Sequence, residues 1–379
     1  MRRVFLSRKS DKFKLYTVIG MLLCCAFIWG FSSTGALAAT KSIRLSGKNF
    51  PEESLLKAVA AYDKNHNGYI SEKELKSITS LNISKYPDYD GEYDEDFRYF
   101  TEEEFVFDFK GLDKLVYLES LKLMLVGGET AEGVHYPSKT RNFECIYKLS
   151  GLKTLHLYSV SVPKIDISRF DKLTTLYLYD NPELTDLTLN KALKTLKLDG
   201  LARLQHFDIP ALKYLKKCEI SGVSAEYIKF GKCPRLKTLT LCAVTVDKLD
   251  ISKLSNLEKI YFDEGSISNP DFSANKKLQL FSANRTEINK LDLSENSALK
   301  EVLLDGKKIK NLVLPKDNII AAFRWANAGL KQISPADLGL NPEYLEDIIL
   351  WNNKLTSLDI RGYYKINDPW IEDRVEIIR

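Results

Sequence analysis

Residues 63 to 74 carry the clearest pattern of chemically competent side chains in this 379-residue sequence. Side-chain oxygens recur at the first, third, fifth, ninth and twelfth places of the segment, in Asp63, Asn65, Asn67, Ser71 and Glu74. The backbone carbonyl of Tyr69 would add an oxygen at the seventh place, and Gly68 permits the sharp bend before it. Oxygen donors at this spacing suit a hard divalent cation, so we expect the segment to bind calcium.

Two features of this segment qualify the expected binding. Only Asp63 and Glu74 are charged, because asparagines stand at the third and fifth places, where carboxylates would attract the cation more strongly. We therefore expect weak binding, with a Kd of roughly 10⁻⁴ to 10⁻³ M, as in extracellular calcium modules. The alternative is a loop that only caps a helix, since Ser71 and Glu74 also match a capping box.

The segments on either side of this loop predict two short helices. The first starts at Pro51, which suits a first helical position, and it places Leu55 and Tyr62 on one face. The second begins at Ser71. Residues 39–85 are thus predicted to form a helix-loop-helix, which is the arrangement of an EF-hand.

Most of the remaining sequence repeats a single pattern. Between Leu118 and Ile360, the order apolar-x-x-apolar-x-apolar returns about every 21 residues. Its second apolar position is held by Leu121, Leu155, Leu176, Leu196, Cys218, Leu239, Ile260, Phe281, Val302, Phe323 and Ile348. A second apolar pair follows in most repeats, as in Ile165 and Ile167. Such regularity predicts a solenoid, in which each repeat stacks on the next around a continuous apolar core.

The repeats resemble those of secreted leucine-rich repeat proteins from Gram-positive bacteria, internalin-like in the broad sense, as in segments 236–241 (LKTLTL) and 291–296 (LDLSEN). In those proteins an EF-hand-like hairpin precedes the repeats. The resemblance implies a β-rich leucine-rich repeat solenoid with parallel strands on its concave face and an α-helical EF-hand-like N-terminal cap. Because so short a repeat leaves no room for a helix of several turns, we expect short strands or irregular backbone on the outer side.

Side chains between the apolar strand positions are predicted to point outward, because neighbouring residues of a strand face opposite sides. Adjacent strands lie about 4.8 Å apart, so outward rings on them should form one patch. The predicted partner-binding residues are His156, Tyr158, Tyr177 and Tyr179 in that patch, Tyr261 and Asp263 farther along, and Arg324 and Trp351 near the C-terminal end. Trp325 keeps the core register. The alternative is that tyrosines stand here only because they suit half-exposed strands.

The N-terminal residues have the composition of a secretory signal peptide. Six Lys and Arg side chains precede an apolar run over residues 15–31, and the small residues Ala36 and Ala38 follow it. We expect residues 1–38 to be removed on secretion, the alternative being an uncleaved membrane anchor. The mature chain then has 49 basic and 50 acidic side chains and no further apolar run that could span a membrane. This balance gives no indication of nucleic-acid binding, which needs a clustered basic face.

Three other segments interrupt or follow the repeats, which we expect over residues 111–360. Residues 86–110 form a predicted acidic, solvated linker, with a second cation site as the alternative. An inserted loop at about 126–148 should project from the solenoid, because the step between neighbouring repeats is longer there. Residues 361–379 are predicted to cap the last repeat.

The remaining polar residues give no catalytic pattern. The four histidines occupy unrelated repeat positions, and no nucleophile, zinc, phosphate-loop or dinucleotide motif is present. Aspartates recur between the second apolar pairs, at Asp166, Asp208, Asp250, Asp292 and Asp359. Their period predicts local turn hydrogen bonds rather than a row of metal ligands. Cys218 and Cys233 fall at inward positions and are expected as small buried apolar side chains.

A large repetitive surface without catalytic motifs indicates binding rather than catalysis. We therefore expect a secreted or surface-exposed bacterial protein that mediates protein–protein interaction or adhesion and is not an enzyme. Its partner would be a protein of a host or of the bacterial surface. Two alternatives stay open: recognition of carbohydrate by the aromatic patch, whose ring faces could stack on sugars, and a structural role in the cell envelope.

Overall fold

The structure, a computed structural model, describes residues 42–85, 106–125 and 138–379, without the side chain of Lys310. The predicted signal peptide lies outside the described residues, as do most of the acidic insertion and the first part of the inserted loop. Among the residues that are described, no helix is long and apolar enough to cross a membrane.

A ladder of parallel strands, here called the main sheet, forms one wall of the solenoid. In the part of the chain that the structure describes, its strands are Ser80–Lys85, Ser120–Leu125, Thr154–Tyr158, Thr175–Tyr179, Thr195–Asp199, Lys217–Ser221, Thr238–Asp250, Lys259–Ile267, Leu280–Asn284, Glu301–Asp305, Ala322–Ala326 and Asp347–Ile349. Each strand pairs with the strand of the next repeat, so Leu155, Leu176 and Leu196 stand side by side. The predicted parallel solenoid is confirmed.

Further short parallel strands complete the turns of the solenoid. Those outside the main sheet are Val106–Asp108 with Ser138–Arg141 and Val160–Ser161, Lys164–Asp166 with Asp186–Thr188, Ile288–Asp292 with Ile309–Val313, and Ser357–Asp359 with Glu376–Ile378. His206–Ile209 pairs with Ser224–Phe230, which is joined to the main sheet through the second half of the long strand Thr238–Asp250. Two 3₁₀ helices, Leu112–Lys114 and Phe143–Lys148, lie among them in the described segments. The expectation of short strands in place of long helices on this side is confirmed.

The core of the solenoid is one continuous apolar cluster. Each of the eleven residues that anchor the repeat pattern is at most 1% exposed, which confirms their inward register. Phe281 lies at the centre of an aromatic group, with its ring centroid 5.1 Å from that of Phe272 and 5.8 Å from that of Phe262. Trp325 is buried, as its register predicts, and so are Cys218 and Cys233. Burial of each large apolar side chain in this cluster stabilises the fold by about 2 kcal/mol.

One backbone feature recurs at the same place in nearly every repeat. The residue after the five-residue register that the main-sheet strands share has a positive φ, between 49° and 114°, in Ser159, Asp180, Gly200, Gly222, Ala243, Glu264, Arg285, Gly306, Asn327 and Asn352, including where the strand itself continues. We call this set the left-handed column. Only three of its ten members are glycines, the residue type that adopts this conformation without steric penalty. Asp180, Asn327 and Asn352 also tolerate this conformation, so the ladder imposes it against local preference at the remaining four members, Ser159, Ala243, Glu264 and Arg285.

Polar side chains close the turns between repeats. Asn275 is fully buried and donates through Nδ2 to the carbonyls of Ile251 (3.2 Å) and Leu254 (3.0 Å), and Asn296 repeats this pattern one turn later. Asp250 accepts from the Ser252 backbone N–H at 3.1 Å, and its hydrogen bonds to Ser252 lower the pKa of its carboxyl. Corresponding bonds are made by Asp166, Asp292 and Asp359. The prediction of local turn bonds is confirmed for these four.

Two helices in the described residues precede the first strand of the main sheet: α1, Glu53–Ala60, and α2, Glu72–Ser77. The predicted start of α1 at Pro51 is wrong, because Glu52 is the N-cap and its carboxylate accepts from the Ser54 hydroxyl at 2.8 Å. Helix α2 begins as predicted, with a complete capping box between Ser71 and Glu74. Helix α1 lies against the strand Ser80–Lys85, to which Glu52 is joined by an ion pair with Lys85 at 3.1 Å.

The C-terminal segment extends the solenoid by a further partial turn. Trp370 forms a parallel bridge with Ile349, and the backbone N–H of Trp370 donates to the carbonyl of Ile348 at 3.0 Å. The strand Glu376–Ile378 pairs with Ser357–Asp359 on the other wall. Residues 361–379 thus pair with the last repeat on both walls, and their role as its cap stays a prediction.

Candidate functional site

The outward face of the main sheet carries rows of side chains that run across the strands at constant register. In the N-terminal half, one row contains Lys122, His156, Tyr177, Lys197 and Glu219. The neighbouring row places Tyr158 beside Tyr179. The four predicted residues His156, Tyr158, Tyr177 and Tyr179 are thus brought together, and we call them the aromatic patch.

The rings of the aromatic patch form two ordered pairs. The imidazole of His156 stacks on the ring of Tyr177, with centroids 4.1 Å apart and planes at 10°. The rings of Tyr158 and Tyr179 lie 5.2 Å apart at a tilt of 37°. Tyr179 is 48% exposed, so the patch is open to a partner from one side. Rings that are held by their neighbours lose little further rotamer freedom when a ligand binds.

A charged group continues the stack beyond Tyr177. The Lys197 Nζ lies 5.4 Å from the centroid of the Tyr177 ring and forms an ion pair with Glu219 at 2.5 Å. The hydrogen bond from Lys197 to Glu219 raises the pKa of Lys197. A shallow depression of about 230 Å³ lies between these two residues and the rings of Tyr158 and Tyr179. Lys197 and Glu219 were not among the predicted site residues, although their outward strand positions were readable from the repeat.

His156 is electrostatically unusual. Within the described part of the chain, neither of its ring nitrogens has a hydrogen-bond partner, and both are buried. Burial, with a smaller effect of the nearby Lys122 cation, lowers the pKa of His156 from 6.5 to about 4. The imidazole is therefore neutral at pH 7 and serves as a flat apolar surface against Tyr177.

Tyr261 and Asp263 lie apart from the aromatic patch. Four strand steps separate Tyr261 from Tyr177 in the ladder, which corresponds to about 19 Å. Asp263 accepts a hydrogen bond from the Asn284 amide at 2.7 Å, and its carboxylate lies 3.6 Å from the guanidinium of Arg285. Asp263 thus has polar partners that are not part of the aromatic patch.

Arg324 and Trp351 lie near the C-terminal end of the main sheet. The Arg324 guanidinium forms an ion pair with Asp305 at 2.7 Å, and Asp305 also accepts from the Asn327 amide at 2.8 Å. Trp351 is 48% exposed. Two further rings on this end are even more exposed, Tyr364 at 74% and Trp370 at 63%. Sequence reasoning missed them because they follow the last recognisable repeat.

The loop between α1 and α2 holds two buried carboxylates. Glu74 is 8% exposed; its Oε1 accepts from the Lys64 backbone N–H at 3.0 Å and its Oε2 from the Ser71 hydroxyl at 2.7 Å and the Ser71 N–H at 2.9 Å. The hydrogen bond from the Ser71 hydroxyl, followed by that from its backbone, lowers the pKa of Glu74. Asp63 is 5% exposed and accepts from the Gly68 N–H at 2.8 Å.

The remaining loop oxygens are also ordered by the backbone. The Asn65 and Asn67 side-chain oxygens accept from the N–H groups two residues later, at 3.1 and 2.8 Å. Tyr69 begins a short strand that pairs with Ile43–Arg44, and Gly68 makes the bend at φ +79°. Among the described residues, neither Asp63 nor Glu74 belongs to an ion pair with a basic side chain. Two buried carboxylates in one oxygen-rich loop form a donor set that fits calcium.

The comparisons with known proteins concern the fold. No family model matches the sequence, and no curated protein matches it. Among solved structures, the functional domain of InlJ from Listeria monocytogenes is 17% identical, with 90% of this chain and 73% of that chain covered and a TM-score of 0.48. The internalin InlF of the same species is 15% identical (90% and 94% covered, TM-score 0.44), and a leucine-rich repeat protein of Leptospira interrogans is 16% identical (80% and 80%, TM-score 0.42).

These similarities are too distant to transfer a partner to this chain. The described strands themselves show a parallel solenoid with a short, nearly constant period and an inward apolar residue at each rung, as leucine-rich repeats have.

Proposed function

We propose that this chain is a secreted or surface-exposed leucine-rich repeat protein that binds a protein partner through the aromatic patch. The observation that carries the proposal is the pairing of His156 with Tyr177 and of Tyr158 with Tyr179 on adjacent strands of a rigid ladder. Tyrosines are favoured at the energetic centres of protein interfaces, where a large ring and a polar hydroxyl contact the partner together.

The surroundings of the aromatic patch support an interface with a polar rim. Lys197 and Glu219 border the rings with opposite charges, which would orient a partner more than they would add affinity. The proposal is one of binding without catalysis. Secretion rests on the composition of residues 1–38, and adhesion at or outside a bacterial surface is the role that a secreted binding scaffold of this kind would serve.

Substitution of single rings tests the interface. A protein array probed with the wild-type chain should yield a partner whose affinity falls by at least about tenfold with Tyr179→Ala. Tyr344→Ala is the matched control, because Tyr344 is 42% exposed but lies outside the patch. Equal affinity of both variants for the partner would remove the aromatic patch from the interface.

Carbohydrate binding is the second candidate, and the depression beside the rings favours it. Tyr158 and Tyr179 border a hollow that Asp199 and Glu219 also line, so ring faces and carboxylates meet where a sugar could stack and donate hydrogen bonds. Desolvation raises the pKa of Asp199, which a sugar hydroxyl as donor would counter. A glycan array with the same two variants distinguishes the candidates: a glycan ligand that is lost with Tyr179→Ala and retained with Tyr344→Ala would favour sugar.

We further infer that the loop of residues 63–74 binds calcium weakly and thereby stiffens an EF-hand-like N-terminal cap. Asp63, Asn65, Asn67, Ser71 and Glu74 would hold the ion by side-chain oxygens, and Tyr69 by its carbonyl. A bound cation would neutralise the two buried carboxylates and link α1 to α2. Support comes from the burial of both carboxylates and from the ordered turn between the helices.

Calorimetry at millimolar calcium tests this inference. Wild type should bind with a Kd of roughly 10⁻⁴ to 10⁻³ M, and Glu74→Gln should abolish the heat. Glu72→Gln is the control, because Glu72 is exposed and paired with Lys76 at 2.7 Å. Absence of binding in wild type would leave the capping box as the only role of Glu74.

A further inference from the structure

An open cavity of about 770 Å³ lies beside the last repeats, far from the aromatic patch along the chain. Three cationic side chains line it, those of Lys307, Lys354 and Arg374. Its other polar lining comes from asparagines and Thr356, and no carboxylate of the described residues lines it. We call it the cationic cavity. The cationic cavity is distinct from the aromatic patch, on which the proposed function rests.

The cavity opens where the repeat becomes irregular. From Leu155 to Phe323 the anchor residues follow one another at nearly equal steps, but the step from Phe323 to Ile348 is longer than any of these. The extra residues lie between Asn327 and the strand Asp347–Ile349, because the pairing up to Ala326 keeps the regular register. In repeat proteins, such local insertions often form binding loops, because the neighbouring rungs hold their ends in place.

A buried asparagine holds the wall of the cavity in place. Asn353 is 3% exposed, and its Oδ1 accepts from the backbone N–H groups of Ala328 and Leu330, both at 3.1 Å. Its Nδ2 donates to the carbonyls of Trp325 (2.8 Å) and Leu350 (2.7 Å). The amide thus ties two successive turns together, so the cavity is formed before any ligand arrives.

The three cations reach the cavity from three different turns, and the turn that follows the strand Ala322–Ala326 lies between those of Lys307 and Lys354. The aliphatic part of Lys307 passes over Gly329, since a Cβ placed there would lie 3.7 Å from the Lys307 Cε. The Arg374 guanidinium donates to the Asn353 carbonyl at 3.1 Å, which fixes its orientation and leaves its other donors free. Among the described residues, none of the three cations belongs to an ion pair.

Nearby carboxylates do not neutralise this group. Asp305 lies two positions before Lys307 in the sequence, but it is engaged by Arg324 and Asn327. Asp373 adjoins Arg374, yet it does not line the cavity. Three like charges around one hollow repel each other, and an anion within the hollow would convert that repulsion into attraction.

We propose that the cationic cavity binds an oxyanionic group, a phosphate or a sulfate. Arg374 offers a planar fork of donors that matches two oxygens of such a group, and Lys307 and Lys354 add point charges. The Thr356 hydroxyl is a further donor on the wall. The cavity exceeds the volume of a lone tetrahedral ion, so the oxyanion would be one end of a larger molecule, such as a phosphorylated or sulfated sugar.

Titration of the intact chain with inorganic phosphate, inorganic sulfate and glucose 6-phosphate tests the proposal at constant ionic strength against sodium chloride. We expect saturable binding of the oxyanions, weakened at least about tenfold by Arg374→Gln and by Lys354→Gln. Tighter binding of the sugar phosphate than of inorganic phosphate would identify an ester as the ligand. The reverse order would identify the free ion.

Lys232→Gln is the matched control, because it removes one exposed positive charge at a distant repeat. It should bind phosphate as wild type does. Circular dichroism verifies that each exposed-site variant is folded. Two results overturn the proposal: no saturable binding to wild type beyond that of chloride, or equal weakening in the Lys232 variant and the cavity variants, which would indicate a general charge effect.

Discussion

The aromatic patch and the cationic cavity belong to repeats of different regularity. In the patch, strands of nearly equal repeats stand in perfect register, so outward rings meet face to face at 4.1 Å between His156 and Tyr177. The cavity lies in the last repeats, which include the longer step between Phe323 and Ile348, and it is lined by residues of the turns and not of the strands. Strand residues in register therefore build a surface of stacked rings, whereas turn residues from several rungs build a hollow lined by positive charges.

The largest expected effect concerns the regular ladder. Phe281→Ala should lower the free energy of unfolding by about 3 to 5 kcal/mol, because it leaves a cavity beside Phe262 and Phe272 that stacked repeats cannot close. Urea unfolding followed by circular dichroism measures the loss. The exposed-site change Tyr344→Ala should stay within about 0.5 kcal/mol of wild type. A loss under about 1 kcal/mol for Phe281→Ala would mean that the regular repeats are packed more loosely than their burial indicates.

A substitution in the turns that line the cationic cavity should destabilise only that part of the solenoid. Asn353→Ala removes the four hydrogen bonds of the buried amide and should cost about 2 to 3 kcal/mol. Hydrogen exchange should accelerate at residues 326–330 and stay unchanged at residues 154–199. Asn352→Ala, which loses one bond to Asn327, serves as the control. Uniform acceleration along the whole chain would contradict a separate behaviour of the two regions.

Acidic pH should lower the free energy of unfolding through His156 of the aromatic patch. The folded-state pKa of His156 is about 4 and the ordinary value 6.5, so the unfolded chain binds more protons between them. The free energy of unfolding should therefore fall, by on the order of 1 to 2 kcal/mol after allowance for solvent screening of a partly exposed ring, as pH drops through this window. His156→Phe should remove this part of the pH dependence, and the change His206→Phe at the exposed His206 should retain it. Unfolding titrations at pH 7.5, 5.5 and 4.5 measure the difference.

The smallest expected effects lie in the left-handed column, which both regions share. Ala243→Gly should raise the free energy of unfolding by about 0.5 to 1 kcal/mol, because Ala243 has a φ of 49°. Gly306→Ala should lower it by about 1 kcal/mol, since the new Cβ meets nothing closer than 3.7 Å and only backbone strain is added. Melting temperatures measure both. If both variants changed the free energy of unfolding in the same direction, backbone strain at this position would not account for the effects.

Sequence reasoning predicted the features that depend on local period. The anchor positions, the outward alternation of His156 and Tyr177 and the turn bonds of Asp250 and Asp292 all follow from spacing within one repeat. These features need no knowledge of how distant turns meet, because each rung repeats the same contacts.

Features that depend on several turns at once were not predictable. The cationic cavity combines Lys307, Lys354 and Arg374, which come from different turns of the solenoid and share no motif. The left-handed column was also invisible, since residues as different as Ala243 and Arg285 occupy it. The sequence predicted that α1 starts at Pro51, but Glu52 is its N-cap. The carboxylate of Glu52 accepts a hydrogen bond from the Ser54 hydroxyl, and this contact was not evident from the sequence.

The varied composition of the left-handed column bears on how such a protein changes its length. A corner that accepts serine, alanine, glutamate and arginine beside glycine, asparagine and aspartate places little demand on the residue type at that position. A whole rung could therefore be duplicated or deleted between two such corners, and the flanking rungs would rejoin without compensating substitutions. The distance between the stacked rings and the cationic cavity would then be adjustable in increments of one rung.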